Sequence, residues 1–334
     1  MNVLVTGGCG YIGSTLVPLL CGDDRVSRVT VFDDLSTGSP RNLAGVFGPD
    51  VGFRRGDVRE YGDVESAVRG TDAIVHLAAI TGAASTHDRR EETFATNFEG
   101  TQNVLTAAGK FGVESVVLAS SCNVYGRAIS TDIDESVTPE PINPYAETKY
   151  ESERLLAEHV SEFDAHGTAL RLSTVYGAAL GIRFNLVVNA FVFRALTGRP
   201  LTVYGDGSNW RPFIHARDAA RAYRAAVCEP EKWPQSVYNV GAAGENYRIE
   251  AIAEIVREEV GPVEITYLED EHPGPSYHVN FNRLEETGFS PETTLRTGVG
   301  ELAASLTGDD TAAATDPSGE RDDSEGTDAS GGNG

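Results

Sequence analysis

In the first half of the chain, apolar residues fall in short, nearly continuous runs. Between the runs, apolar positions recur at helical spacing. "NVLVTG" (2–7), "VTVFDD" (29–34), "VGFRRGD" (51–57), "AIVHLAA" (73–79), "SVVLASS" (115–121) and "TALRLSTVYG" (168–177) read as strands. Residues 12–21, 61–69, about 91–110 and about 144–163 read as helices. Strands that are apolar throughout need cover on both faces. With helices alternating between them, they predict an α/β fold: a doubly wound parallel sheet of the Rossmann type.

The second half is less regular. It reads as helix over 185–198, 217–228 and 249–259, and as strand in "PLTVYGDG", "SVYNVG" (236–241) and "VEITYL". This mix predicts a smaller α+β substrate-binding domain. The expected organisation is a dinucleotide-binding domain over 1–174, with part of 212–241 returning to it. A discontinuous second domain spans 175–305, and an acidic tail spans 306–334. The tail carries eight acids, one arginine and almost no apolar bulk, so it is expected to be disordered.

The first strand runs directly into "TGGCGYIGS". Gly7, Gly10 and Gly13 stand at GxxGxxG spacing, and a helix begins near Ile12. Glycine permits the tight turn and a close approach to a pyrophosphate, which the helix N-terminus favours. An ordinary glycine turn is the alternative, but the strand–loop–helix setting matches the dinucleotide fingerprint. The second strand ends at Asp33-Asp34, twenty residues beyond Gly13. An acid there accepts from both adenine-ribose hydroxyls and repels a 2′-phosphate, so NAD is expected over NADP, with Asp33 the better placed acid. Asp57 is either an adenine contact or simply a turn and cap residue.

Ser121 ends the fifth strand, Tyr145 opens the next helix behind Pro144, and Lys149 follows at i+4. Carboxyl ends of strands face the ligand crevice in such sheets, so the three can converge. A cation beside a phenol favours phenolate, giving an acid/base suited to a sugar hydroxyl. A lone YxxxK is a weak signal; the upstream dinucleotide loop strengthens it. Cys122, beside Ser121, reads as packing rather than as a nucleophile, because the sequence places no histidine partner with it.

Composition narrows the partners. Among the 334 residues, 50 acids face 27 bases, for a net charge of −23, and only Lys110, Lys149 and Lys232 are lysines. This balance, similar to that of salt-adapted proteins, argues against nucleic acid and anionic membranes as partners. The four cysteines show no metal-ligand spacing, so no metal is expected. No apolar run reaches a membrane span and no leader pattern is present, which favours the cytoplasm.

"TGGCGYIGS", "DDLSTG", "HLAA", "NFEGT", "SSCNVYG", "YAETK", "LRLSTVYG" and "LTVYGDGSNWRPFIHARDAARA" occur in the order seen in extended short-chain dehydrogenases/reductases. The chain resembles the NAD-dependent epimerase/dehydratase family over about residues 1–300, and within it the UDP-glucose 4-epimerase-like nucleotide-sugar epimerases. The resemblance implies that Gly7, Gly10, Tyr11, Ile12 and Gly13 hold the NAD pyrophosphate. It implies that Asp33, Leu35, Ser36, Thr37 and Gly38 hold the adenosine ribose, and that Asp57 and Val58 meet the adenine. Leu77, Ala78 and Ala79 would line the cofactor, with Asn97 near its ribose. Ser121, Tyr145 and Lys149 would be catalytic, and Asn185 and Arg211 would handle the diphosphate of a nucleotide-sugar substrate. Val175 and Tyr176 would pass the nicotinamide side. Helices 91–110 and 144–163 would form a homodimeric four-helix bundle.

Cys122 and Asn123 replace the Asp-Glu pair that follows the catalytic hydroxyl in 4,6-dehydratases, which weighs against dehydration. "EHPGPSYHVNF" lacks the arginine that many members of the resembled family direct at a substrate phosphate; either His272 or Arg283 substitutes, or the substrate differs. The expected activity is 4-epimerisation of a nucleotide-diphosphate hexose. Alternatives on the same site are a reductase, or a decarboxylase, which would need a further basic residue to bind a uronic acid. A silent NAD-sensing protein is disfavoured because both Tyr145 and Lys149 are present.

Overall fold

The computed structural model describes residues 1–83, 85–126, 132–268 and 275–308. The expected acidic tail lies, from residue 309 on, outside the described residues, as does His272.

Val3 and Val5 lie in one apolar cluster and Leu4, between them, in another. Val117 and Ala119 divide from Val116 and Leu118 in the same way. This alternation is the signature of strands buried on both faces. The strands are β1 (Asn2–Thr6), β2 (Arg28–Asp33), β3 (Val51–Arg55), β4 (Ala73–His76), β5 (Ser115–Ser121), β6 (His166–Leu172), β7 (Thr174–Tyr176), β8 (Leu201–Tyr204), β9 (Trp210–His215), β10 (Val237–Val240), β11 (Asn246–Arg248) and β12 (Ile265–Leu268). The helices are α1 (Gly13–Cys21), α2 (Tyr61–Val68), α3 (Arg90–Phe94), α4 (Gly100–Phe111), α5 (Pro144–Phe163), α6 (Val187–Leu196), α7 (Ala216–Cys228), α8 (Ile249–Val260), α9 (Asn282–Glu285) and α10 (Leu295–Thr307).

Seven strands form a wholly parallel sheet in the order β10-β6-β5-β4-β1-β2-β3. The chain winds outward from β1 through β2 and β3, then from β4 in the other direction. The crevice therefore opens between the carboxyl ends of β1 and β4. Helices α1 and α7 cover one face, and α2, α4 and α5 the other.

The sequence suggested a single strand over 168–177, but the chain breaks at Ser173. Its amide still bonds Val240 O at 2.9 Å, while Thr174–Tyr176 leave the main sheet to pair with Phe213–His215. That break separates the nucleotide sheet from a smaller lobe built on β7, β9, β11, α6, α8 and α10. The lobe has its own core around Phe191, Phe213, Ile252 and Leu302. The helix expected over 91–110 is also interrupted, by a π turn at Ala95–Glu99 between α3 and α4. No described helix is long and apolar enough to cross a membrane.

Candidate active site

The loop after β1 is built by close approach. Gly7 has φ +68°, and a Cβ there would stand 2.8 Å from Ala78 N; a Cβ on Gly13 would stand 2.6 Å from Gly7 O. Neither position tolerates a side chain. Helix α1 begins at Gly13 with no side-chain cap; Ser14 N bonds Gly10 O at 2.9 Å and Thr15 N bonds Ile12 O at 3.1 Å, which leaves the turn just before them to meet a ligand. An uncapped N-terminus behind a glycine turn fits a pyrophosphate.

Asp33 is buried at the end of β2. Its Oδ2 accepts from Cys9 N and its Oδ1 from Leu35 N, both at 2.9 Å. Burial pushes its pKa up against the pull of these amides. No arginine pairs with it among the described residues, so a carboxylate here repels a further phosphate and suits ribose hydroxyls. Leu35 takes a left-handed φ of 66° to turn the chain, and Ser36 is fixed by Asp34 through N at 2.9 Å and Oγ at 2.7 Å. Gly38 is pressed against Cys9, where a Cβ would lie 2.8 Å from the carbonyl, and Thr37 is exposed beside it.

Asp57 pairs with Arg59 at 2.5 Å and accepts from Arg59 N at 2.9 Å. It acts in this structure as a turn residue. Val58 is buried under Gly100, and its carbonyl is bound by Asn103.

Beyond β4, Thr6 anchors Leu77 and Ala78: its carbonyl accepts from Leu77 N at 3.1 Å and its Oγ1 from Ala78 N at 3.1 Å. Ala79 follows on the same loop, and Ile80 is held at both ends by the buried amide of Asn97. Asn97 Oδ1 accepts from Ile80 N at 2.7 Å, while Nδ2 donates to Ile80 O at 2.9 Å and Thr148 Oγ1 at 3.1 Å. Both amide hydrogens are thus committed to the protein. Asn97 shapes the cofactor-facing loop, and the π turn it sits in aims its side chain there. His76, bonded to Thr6 and Thr101, is buried; burial lowers its pKa to about 3, so it is neutral.

The three expected catalytic side chains converge. Asn143 Oδ1 caps α5 through Ala146 N at 2.9 Å, and Pro144 occupies the first turn. Burial raises the pKa of Tyr145, which a hydrogen bond to Ser121 and then the charge of Arg183 pull down. Ser121 Oγ accepts from Asn123 N at 3.2 Å. Lys149 Nζ stands 5.9 Å from the Tyr145 ring centroid. Burial lowers its pKa to about 8, opposed by Glu153 one turn on. Glu153 accepts from Ser120 Oγ and from Arg171, and Arg171 Nη1 donates to Tyr125 OH at 2.9 Å. The carboxylate stands between Lys149 and the arginine beneath the site.

Sequence reasoning missed Arg183. Its Nη1 donates to Thr81 Oγ1, and Asn189 Nδ2 holds its carbonyl at 3.1 Å while also donating to Tyr11 OH at 3.2 Å. Tyr11 OH in turn donates to Gly177 O at 2.6 Å. Gly181 lies against Gly10 and Tyr11, where a Cβ would come within 3.0 Å of Tyr11 N. Asn185 is exposed, with its amide close to Gly82. Arg211 stacks 4.8 Å over Tyr277 and donates to the carbonyls of Trp210 and Pro275. Arg283 is occupied elsewhere: Nη1 donates to Val237 O at 3.0 Å and Nε lies 3.5 Å from Glu135. It does not take the place of a phosphate-directed arginine. Tyr176 is turned into the small lobe against Phe213 and His215. Cys122 is buried, bonds Arg171 O at 3.2 Å, and has its thiol pKa pushed well up by burial, so it packs.

A glycine loop on β1, an acid ending β2 and a tyrosine and lysine on α5 define a dinucleotide-dependent enzyme. The sequence model of the NAD dependent epimerase/dehydratase family matches residues 3–241. The chain belongs to this family, and its cofactor is NAD. It is 31% identical to the low-salt glycan biosynthesis protein Agl12 of Haloferax volcanii over 93% of this chain and 100% of the relative. A UDP-N-acetylglucosamine 4-epimerase from Methanobrevibacter ruminantium, in complex with UDP-N-acetylmuramic acid, superposes with a TM-score of 0.84 at 26% identity, covering 92% of this chain and 98% of that one. The dTDP-glucose 4,6-dehydratase DesIV of Streptomyces venezuelae, with NAD bound, gives 0.82 at 29% identity over 93% and 98%. Further relatives include UDP-glucose 4-epimerases, other dehydratases and UDP-glucuronic acid decarboxylases.

Proposed function

We propose that the protein is a nucleotide-sugar 4-epimerase. The observation that carries this reading is an intact Ser121–Tyr145–Lys149 site followed by Cys122 and Asn123. Neither of those can supply the acid and base that elimination of water requires. Tyr145 takes the C4 hydroxyl proton and later returns it. Ser121 steadies the oxygen, and the charges of Arg183 and Lys149 favour the phenolate form. NAD, when bound by the Gly7–Gly13 loop and Asp33, accepts a hydride from C4 and gives it back to the opposite face. Arg211 and Asn185 are read as diphosphate contacts, residues 1–174 with part of 212–241 as the nucleotide domain, and the discontinuous span 175–305 as the substrate domain. The exposed Phe163, lying against Gly109, supports reading α4 and α5 as a homodimer face.

The test is incubation with a panel of UDP-, dTDP-, GDP- and CDP-sugars, read by mass spectrometry and NMR. A product of unchanged mass and inverted C4 is expected. Loss of water or net consumption of reduced cofactor overturns the reading. A second reading, decarboxylation of a uronic acid, is favoured by the cation at Arg183 and would show as loss of carbon dioxide.

A further inference from the structure

We infer that Arg183 is a carboxylate-binding residue and that the preferred substrate is a nucleotide-diphosphate uronic acid, with the carboxylate at C5 of the sugar. The inference rests on the nucleotide-sugar reading above.

Arg183 is half-buried, and no carboxylate pairs with it among the described residues. The buried cations beneath the site are compensated. Arg171 is matched by Glu153, and Glu153 also faces Lys149. Burial lowers the pKa of Arg183, but a guanidinium remains charged, so an unmatched cation is held in the cleft of a protein whose net charge is −23. Holding such a charge out of water is costly unless an anion meets it.

The guanidinium is also fixed in place. One nitrogen donates to Thr81 on the loop beyond β4, and the backbone is clamped by Asn189, which bonds Tyr11 of the nucleotide loop. One N–H direction is used, leaving others to form a two-point pair with a carboxylate.

Position selects the anion. Arg183 is held by Thr81, next to Ile80, and Asn97 ties Ile80 to Thr148, whose Oγ1 bonds Tyr145 O on α5, so the guanidinium is held on the Tyr145 side of the cleft, towards C4 of a bound sugar. In a pyranose the diphosphate hangs from C1, across the ring from C4. The neighbours of C4 are C3, with a hydroxyl, and C5, with the C6 group. A cation on this side of the cleft can meet the C3 hydroxyl or the C6 group, and of the two only a carboxylate at C6 supplies a matching charge, which a hydroxymethyl does not.

The test compares UDP-glucuronate with UDP-glucose. Wild-type protein is expected to favour the uronate in kcat/KM by at least about tenfold, the scale of a charge-assisted hydrogen-bond pair. Arg183→Gln is expected to reduce that ratio by a factor of about 10 to 100, with Arg183→Lys between the two. Binding of both sugars to the NAD-loaded Tyr145→Phe protein, with and without Arg183→Gln, gives the same comparison without turnover. Equal preference in the wild type overturns the inference, as does a ratio that Arg183→Gln leaves unmoved. If the panel shows no turnover at all, the epimerase reading falls, while the binding ratio still decides for or against Arg183.

Discussion

Glu153 grips Arg171 at two points, with Nε–Oε1 at 2.9 Å and Nη2–Oε2 at 2.7 Å, directly beneath the strand end that carries Ser121. Both side chains are buried. Removing one partner strands the other charge, which costs far more than the pair contributes. Glu153→Gln is expected to destabilise the protein by about 3–5 kcal/mol in denaturant unfolding. It also removes the charge that supports ammonium at Lys149. A change below about 1 kcal/mol would show that water or neighbouring dipoles already compensate Arg171.

Tyr145→Phe retains the ring and its packing but loses the proton-carrying oxygen. Turnover on the true substrate is expected to fall by about 10²–10⁴, the usual weight of a positioned acid/base. Affinity for NAD, measured by titration, should move only a few-fold. Near-full turnover would remove Tyr145 from the chemistry.

Asp33 bonds two loop amides with its two oxygens and pairs with no cation among the described residues. NAD is expected to bind more tightly than NADP by at least about tenfold. Asp33→Asn should weaken NAD and narrow the difference, as read by fluorescence or calorimetric titration of both cofactors. Equal affinities in the wild type would contradict this account.

Glu245 is buried within the small lobe, at the start of α10. It accepts from Leu295 N at 2.9 Å and Tyr247 OH at 3.4 Å, and burial raises its pKa to about 7 from 4.5. Between those values the folded protein holds a proton that the unfolded chain has released. Stability therefore falls as pH rises from about 4.5 to about 7, by an amount on the order of 3 kcal/mol. Glu245→Gln keeps an acceptor for Leu295 and removes the titration. Its Tm relative to wild type should be higher at pH 8 than at pH 4, and a difference independent of pH would exclude Glu245 as the source.

Much of this was legible in local patterns. The alternation of buried faces, the GxxGxxG turn and the strand-end position of Asp33 are each written within a few residues. Tyr145, Lys149 and Glu153 share one face at i, i+4 and i+8, so even the missed Glu153 had a periodic signal. Arg183 had none. Its importance depends on Thr81 and Tyr11, which are distant in sequence and meet Arg183 and its near neighbour Asn189 only when the chain folds. The break at Ser173 was hidden for a similar reason. Apolar character continues through "LRLSTVY", but pairing partners change from β10 to β9 there.

The edge strand β10 gives the molecule an order of manufacture. Ala169–Leu172 on β6 are made long before Val237–Val240, which close their open side. While the intervening lobe is being translated, the nascent nucleotide half presents a bare sheet edge, open to wrong partners. A ribosome stalled or truncated between these segments would release an adhesive half-sheet. The late-made strand thus acts as the chain's own seal against aggregation.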